Sequence, residues 1–130
     1  MTPKRIVFVC VENSNRSQMA EAFAHIHGFD RVEAYSAGSR PSGRINPKAI
    51  ASMEEVSYDL TDHHSKGLQE LADIEFDMAV TMGCGDECPF LKAKQRQDWN
   101  IPDPKDMPPD KFRAVRTLIE NKVKELLASI

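Results

Sequence analysis

The chain predicts an α/β fold, a three-layer α/β/α arrangement around a four-stranded, mostly parallel sheet. Three observations predict it. Short β-branched or alternating runs recur at residues 5–9, 31–37 and 76–82. Between and after them, apolar residues repeat at helical spacing. The resulting order, βαβα(α)βαβα, calls for parallel strands joined by right-handed crossovers, with helices on both faces.

Taken in order, Arg5-Ile6-Val7-Phe8-Val9 reads as a buried first strand. Met19, Ala22, Phe23 and Ile26 then define an amphipathic helix, and Gly28 with Asp30 marks its end. Residues 31–37 alternate as a second strand, and 38–43 is a turn-rich connection. Asn46 is the expected N-cap of a second helix with Pro47 at its first position; Ile50, Met53 and Val56 line its apolar face. Residues 59–65 are polar and turn-like, and Ser65 is expected to cap a short third helix carrying Leu68 and Leu71. Residues 76–82 form the third buried strand, followed by a basic polar stretch ending at Gln97. Trp99 and Ile101 suggest a short edge strand before Pro102-Asp103-Pro104. Asp110 is expected to cap the last helix, whose apolar face is Phe112, Val115, Ile119, Val123, Leu126 and Leu127.

No repeat, low-complexity segment or boundary divides residues 1–130, so a single domain is expected, long enough to bury a core. The hydrophobic fraction of 41% and charged fraction of 28% are ordinary for a globular protein. A net charge of −3, with no basic stripe carrying interleaved aromatics, argues against a nucleic-acid partner. Any anion must be held by local geometry. No run approaches the ~20 apolar residues that span a bilayer. The apolar run behind Met1-Thr2-Pro3-Lys4 is too short for a signal-peptide core, so a cytoplasmic location without a membrane partner is expected. The three cysteines, Cys10, Cys84 and Cys88, point to reactive or redox use rather than a disulfide framework.

The chemistry gathers in the loop between the first strand and the first helix. Backbone N–H groups of Val11, Glu12, Asn13, Ser14 and Asn15, with the helix N-terminus, can form a nest for an anion. Arg16 adds a planar fork of donors suited to a tetrahedral oxyanion. A thiol at Cys10 facing that field loses its proton easily, and the Ser17 hydroxyl can donate to the sulfur. Asn13 and Asn15 tolerate the left-handed backbone that a tight loop needs. Ligands of parallel sheets sit at the carboxyl ends of the strands. Cys10 follows the first strand, Cys84 the third and Asp103 the last, so the three should meet at one edge. Pro104 biases Asp103 toward an extended backbone. Zinc wants four ligands, and Cys84 and Cys88 have no further cysteine except Cys10; neither a metal site nor a cofactor is expected. Gly83, Gly85 and Pro89 instead predict a segment able to bring either sulfur to a new partner.

The run from Cys10 through Phe23 resembles the signature loop of the low-molecular-weight protein tyrosine phosphatase fold and, more narrowly, the arsenate reductases built on it. Tyr35-Ser36-Ala37-Gly38, Asn46-Pro47-Lys48-Ala49-Ile50, Val80-Thr81-Met82-Gly83-Cys84, Cys88-Pro89, Trp99 and Asp103-Pro104 carry the resemblance over nearly the whole chain. It implies an enzyme that reduces arsenate to arsenite, with phosphate or sulfate as substrate mimics. It further implies a relay in which Cys10 binds arsenic, Cys84 attacks Cys10, and a Cys84–Cys88 disulfide is left for an external dithiol, thioredoxin by resemblance. Asp103 would be the general acid. Two other readings stay open: a phosphatase acting on aryl or protein phosphates through a phosphocysteine, and a thiol-based sensor of oxyanions or arsenite that does not turn over. Some residual phosphatase activity is compatible with the first reading.

Several residues depart from the pattern. Glu12 stands where phosphatases of this fold have a small residue, so its carboxylate must point away from the anion. Lys66 falls near a position where some of the reductases place a carboxylate of a monovalent-cation site, while Asn13, Glu21 and Ser36 match the rest; a lysine ammonium there makes potassium unnecessary. Lys105-Asp106-Met107 replaces the aromatic pair that phosphatases offer a phosphotyrosine, which disfavours bulky phosphoprotein substrates. His63-His64 reads as a solvated loop pair, and residues 92–96 as a solvated basic face able to guide a redox partner to Cys88.

Overall fold

The computed structural model describes residues 3–82 and 91–130. Its frame is a parallel sheet of four strands: β1 (Lys4–Cys10), β2 (Val32–Gly38), β3 (Glu75–Thr81) and β4 (Lys92–Asp98), in the order β2-β1-β3-β4. β1 is paired on both sides and covered on both faces, which is why its sequence is a continuous apolar run rather than an alternating one. Ile6, Phe8 and Cys10 belong to the core shared with the helices α1 (Arg16–Gly28), α2 (Pro47–Glu54) and α3 (Pro109–Ser129). Val7 and Val9 face the other way, toward Leu68, Leu71, Phe76 and Leu91. Among the described residues, that second face is covered by a 3₁₀ turn, Leu68–Leu71, while the three α-helices lie on the first.

The apolar stripe of α3 is the one expected: Phe112, Val115, Ile119, Val123, Leu126 and Leu127 are all buried. Asn46 caps α2 as predicted, its Oδ1 accepting from the Lys48 N–H at 2.9 Å. α1 ends at Gly28, but the left-handed residue is Phe29 (φ 47°). Gly28 serves packing instead: a Cβ there would lie 2.5 Å from Val32 Cγ2.

Three expectations are corrected. The edge strand is Lys92–Asp98, not a segment around Trp99 and Ile101. An edge strand pairs through its backbone alone, here with Glu75–Thr81, so its side chains can be basic and exposed without an apolar signature. Trp99 and Ile101 are instead buried in the helical-face core, with the Trp99 ring 5.9 Å from that of Phe8. Ser65 does not cap the Leu68–Leu71 turn, whose N-cap is Gly67; the Ser65 hydroxyl accepts from Gly43 N–H and donates to the Glu12 carbonyl. Asp110 lies inside the first turn of α3, behind Pro108 and Pro109, where its charge suits the helix dipole without capping. No helix among the described residues is long and apolar enough to cross a membrane.

Candidate active site

The loop between β1 and α1 is shaped from behind. Each of its carbonyls accepts a hydrogen bond from outside the loop or from the helix that follows. Cys10 O takes Ser39 N–H (3.2 Å), Val11 O takes Arg40 N–H (2.8 Å), and Glu12 O takes Ser42 N–H (3.0 Å). Asn13 O takes Gln18 Nε2 (3.1 Å), Ser14 O takes Asn46 N–H (3.1 Å), and Asn15 O takes Met19 N–H (2.9 Å). A trans peptide points its N–H opposite to its C=O. With the carbonyls of residues 10–14 turned toward these donors, the N–H groups of Val11, Glu12, Asn13, Ser14 and Asn15 turn to the opposite side of the loop.

Two residues make this turn possible. Asn13 adopts φ 53°, the left-handed backbone that Asn accepts at low cost. Asn15 does not (φ −129°), because it already sits at the start of α1. Gly38, paired with Cys10 in the sheet, packs directly beneath the loop; a Cβ there would meet Val11 O at 2.5 Å and Asn13 N at 2.9 Å. In the sequence, Gly38 at the end of the Tyr35-Ser36-Ala37-Gly38 run is the signal for this contact.

The structure brings Cys10, Arg16 and Asp103 to one cavity of about 150 Å³, lined also by Val11, Glu12, Ser14 and Asn15. Cys10 is 2% exposed, and its Sγ lies 2.9 Å from Ser17 Oγ. Asn13 Nδ2 donates to that same hydroxyl at 2.7 Å, which orients the Ser17 hydrogen toward the sulfur. Arg16 Nη1 donates to the carbonyls of Met82 (2.6 Å) and Ile101 (3.0 Å). The guanidinium thus ties the end of β3 to the approach to Asp103, and its Nε and Nη2 take no protein acceptor among the described residues. Asp103 Oδ1 accepts the Lys105 N–H at 3.1 Å, an Asx turn that holds the carboxyl above the cavity. Asn15 Oδ1 is buried and has no partner among the described residues. Cys84 and Cys88 lie outside the described residues.

Behind the loop runs a polar network that the sequence reading largely missed. Gln18 Nε2 is shared between Asn13 Oδ1 (2.9 Å), Asn13 O and His64 O (3.0 Å). Gln18 Oε1 faces His63 Nδ1 at 2.9 Å, and His63 Nε2 meets Tyr58 OH at 2.7 Å. His63 is therefore not part of a solvated pair: its side chain is only 8% exposed, while His64 is exposed. Burial pushes the His63 imidazole below its ordinary pKa, against the pull of the Glu21 carboxylate. Burial alone would raise Glu21, but the His25 hydrogen bond, the charges of His63 and Lys66 and the Ser36 hydroxyl hold it below the usual carboxylate range. Gln18 was legible in principle, as a polar residue one helical turn before buried Ala22.

Asn13, Glu21 and Ser36 do not fit a monovalent cation here. Asn13 Oδ1 already accepts from Lys66 N–H (3.0 Å) and Gln18, Glu21 Oε1 accepts from Ser36 Oγ (2.7 Å), and the Lys66 ammonium acts on Glu21. Glu21, His25 and His63 do bring three ligand-type atoms within 4.8 Å of one another. Hydrogen bonds within the network and the nearby Lys66 charge account for that cluster.

Residues 5–130 match the low molecular weight phosphotyrosine protein phosphatase family, and the chain belongs to it. The chain is 35% identical over 130 residues to a glutaredoxin arsenate reductase of Synechocystis sp., covering 98% of each. Among solved structures it superposes on an arsenate reductase in its phosphate-binding state with TM-score 0.87 at 35% identity, covering 98% of both chains. A thioredoxin-dependent arsenate reductase of Corynebacterium glutamicum superposes with TM-score 0.79 at 30% identity, over 98% of this chain and 61% of that one.

Proposed function

We propose that this chain is an arsenate reductase, folded as one domain over residues 1–130 and working in the cytoplasm. The observation that carries the reading is a buried thiol at the floor of a cradle of inward N–H groups, with Arg16 and Asp103 on its walls. The names of the relatives above favour arsenate over phosphate ester, as do the two further thiols in the sequence, Cys84 and Cys88.

The steps follow from the residues. Arsenate occupies the nest, its oxygens on the loop N–H groups and the free donors of Arg16. The Cys10 thiolate attacks arsenic, Asp103 protonates the departing oxygen, which leaves as water, and a sulfur–arsenic bond remains. Asn15 Oδ1 offers an acceptor to a protonated oxygen of the substrate. Cys84 then attacks the Cys10 sulfur; the sulfur–arsenic bonding pair passes to arsenic, which leaves as arsenite, and a Cys10–Cys84 disulfide forms. Cys88 attacks Cys84, releasing the Cys10 thiolate and leaving a Cys84–Cys88 disulfide. An external dithiol reduces it. We take thioredoxin as that dithiol, as in the Corynebacterium relative; the glutaredoxin of the Synechocystis relative's name is the competing donor.

A coupled assay tests this. Arsenate, NADPH and either thioredoxin with its reductase or glutaredoxin with glutathione and glutathione reductase are supplied to wild type and to the Cys10→Ser, Cys84→Ser and Cys88→Ser variants. All three variants are expected to stop multiple turnover, while Cys84→Ser and Cys88→Ser keep slow hydrolysis of a small aryl phosphate. Sustained arsenate turnover by Cys88→Ser would remove the third thiol from the relay. Wild-type hydrolysis of aryl phosphate without any arsenate turnover would assign the cradle to the phosphatase reading, and arsenite binding with neither activity to the sensor reading.

A further inference from the structure

Glu12 is the only acidic residue in the cradle loop, and the structure gives its carboxylate a definite place. The Glu12 carbonyl is clamped from behind by Ser42 N–H at 3.0 Å and Ser65 Oγ at 2.9 Å, and its side chain leaves the loop at the rim. There Oε2 lies 3.1 Å from Lys105 Nζ. Lys105 is anchored in turn by its own N–H on Asp103 Oδ1. The hydrogen bond that Lys105 donates to the Glu12 carboxylate, and the charge of that carboxylate, hold the Lys105 ammonium above its ordinary pKa. A lone carboxylate beside a tetrahedral dianion would repel it. The ammonium cancels that charge at contact distance.

Two cavities meet at Glu12. One is the cradle of about 150 Å³ that holds Cys10, Arg16 and Asp103. The other, of about 340 Å³, is lined by Ser42, Arg44, Asn46, Pro47 and Lys105. Glu12 and Ser14 line both, so they stand between them, and the main chain crosses from one cavity to the other between Asp103 and Lys105. A free oxyanion needs only the first cavity. A phosphate ester needs somewhere beside it for its organic substituent, and the larger cavity is adjacent.

We propose that the Glu12–Lys105 ion pair is a charge-neutral partition that makes the cradle favour free inorganic oxyanions over aryl esters by separating it from the neighbouring cavity. This deepens the reading of the cradle as an oxyanion site and rests on it. The pair is exposed on both sides, so its strength in the fold is small, and its effect lies in the space and charge it controls.

The test is a calorimetric titration of the full chain with inorganic phosphate and, separately, with phenylphosphonate, which carries an aryl group and cannot be hydrolysed. Glu12→Ala/Lys105→Ala removes the partition and leaves the local charge sum at zero. It is expected to tighten phenylphosphonate relative to phosphate by about tenfold in the ratio of Kd values. The swap Glu12→Lys/Lys105→Glu restores an ion pair and is expected to restore the wild-type ratio, which also checks that the rim still folds. A ratio that stays at the wild-type value in the double alanine variant overturns the proposal. So does a loss of kcat toward an aryl phosphate with the ratio unmoved, since the pair would then act on Asp103 rather than on substrate shape. Wild-type protein that binds neither phosphate nor phenylphosphonate would instead defeat the oxyanion reading itself.

Discussion

The back and the front of the cradle loop are built from opposite materials. Behind it, Asn13, Ser17 and Gln18 have no exposed surface, and their side chains are joined by hydrogen bonds to one another, to Cys10 and on to His63 and Tyr58. In front, Glu12, Lys105 and Asp103 are solvated, joined by an ion pair and an Asx turn. A buried polar network with its partners in place holds one geometry, because any displaced member would be left unpaired in a low dielectric. An exposed pair holds geometry weakly and is easily exchanged. The back therefore fixes where the thiol and the N–H groups point. The front decides what may approach them.

The sharpest break of that comparison falls between the two, at Arg16. Its Nη1 donates to the carbonyls of Met82 and Ile101, and the rest of the fork has no acceptor among the described residues. Lysine offers one point charge and cannot serve both ends. Arg16→Lys is expected to lower kcat/KM for arsenate or a small aryl phosphate by about 10²–10³-fold, as for loss of a preorganised oxyanion donor. Initial-rate measurements check this; a loss below tenfold would mean that the N–H groups alone hold the substrate.

The next largest effect should come from two glycines at the back that differ only in what lies above them. A Cβ at Gly38 would stand 2.5 Å from Val11 O and 2.9 Å from Asn13 N, both backbone atoms of the loop. A Cβ at Gly67 would find only the Pro41 side chain, at 3.5 Å or more. Gly38→Ala is expected to cost about 1–3 kcal/mol of stability by overpacking. Because it displaces the N–H groups themselves, it should also cost about 10²-fold in activity. Gly67→Ala should stay within about 0.5 kcal/mol of wild type and keep full activity. Thermal denaturation paired with rate measurements separates the two, and equal behaviour would mean that the loop is not clamped by contact with Gly38.

The same contrast explains what the sequence made legible. Buried apolar elements announce themselves: the α3 stripe, the β1 run and the Asn46-Pro47 start of α2 all stand where their patterns put them. β4 was missed because an edge strand with solvated side chains carries no hydrophobic period, and its partner strand supplies all that orders it. Cys10, Arg16 and Asp103 could be picked out because chain order in a parallel sheet delivers the carboxyl ends of strands to one place. The Gln18–His63–Tyr58 arm could not, because its first bond joins residues 45 positions apart through side chains that look like surface polar groups in isolation. Nothing in the pair His63-His64 says which ring turns inward; packing against Gln18 and Glu21 decides it.

That buried arm supplies the smallest effect, and the one that most cleanly tells back from front. His63 titrates below its ordinary value of 6.5 because burial disfavours its charged form, and Glu21 below its ordinary 4.5 because its partners outweigh burial. In both cases the unfolded chain binds the proton more readily than the folded one, so stability rises with pH. The contribution of His63 is complete above about pH 6.5 and drains away as pH falls through its lower folded value; that of Glu21 is complete above about pH 4.5 and is lost below. Lys105, at the rim, is shifted the other way and loses its contribution only as pH rises beyond its ordinary 10.5. Between pH 7 and pH 5 His63 is therefore titrating while the Lys105 ammonium keeps its charge. Thermal denaturation over that interval should show wild type losing about 3 °C more than His63→Gln, whose amide can still meet Gln18 and Tyr58 but takes up no proton. Lys105→Ala should leave the slope of Tm against pH in that range as it is in wild type. Parallel profiles for wild type and His63→Gln would show that the imidazole is as solvated in solution as its neighbour His64, and the division between a fixed back and an adjustable front would lose its buried anchor.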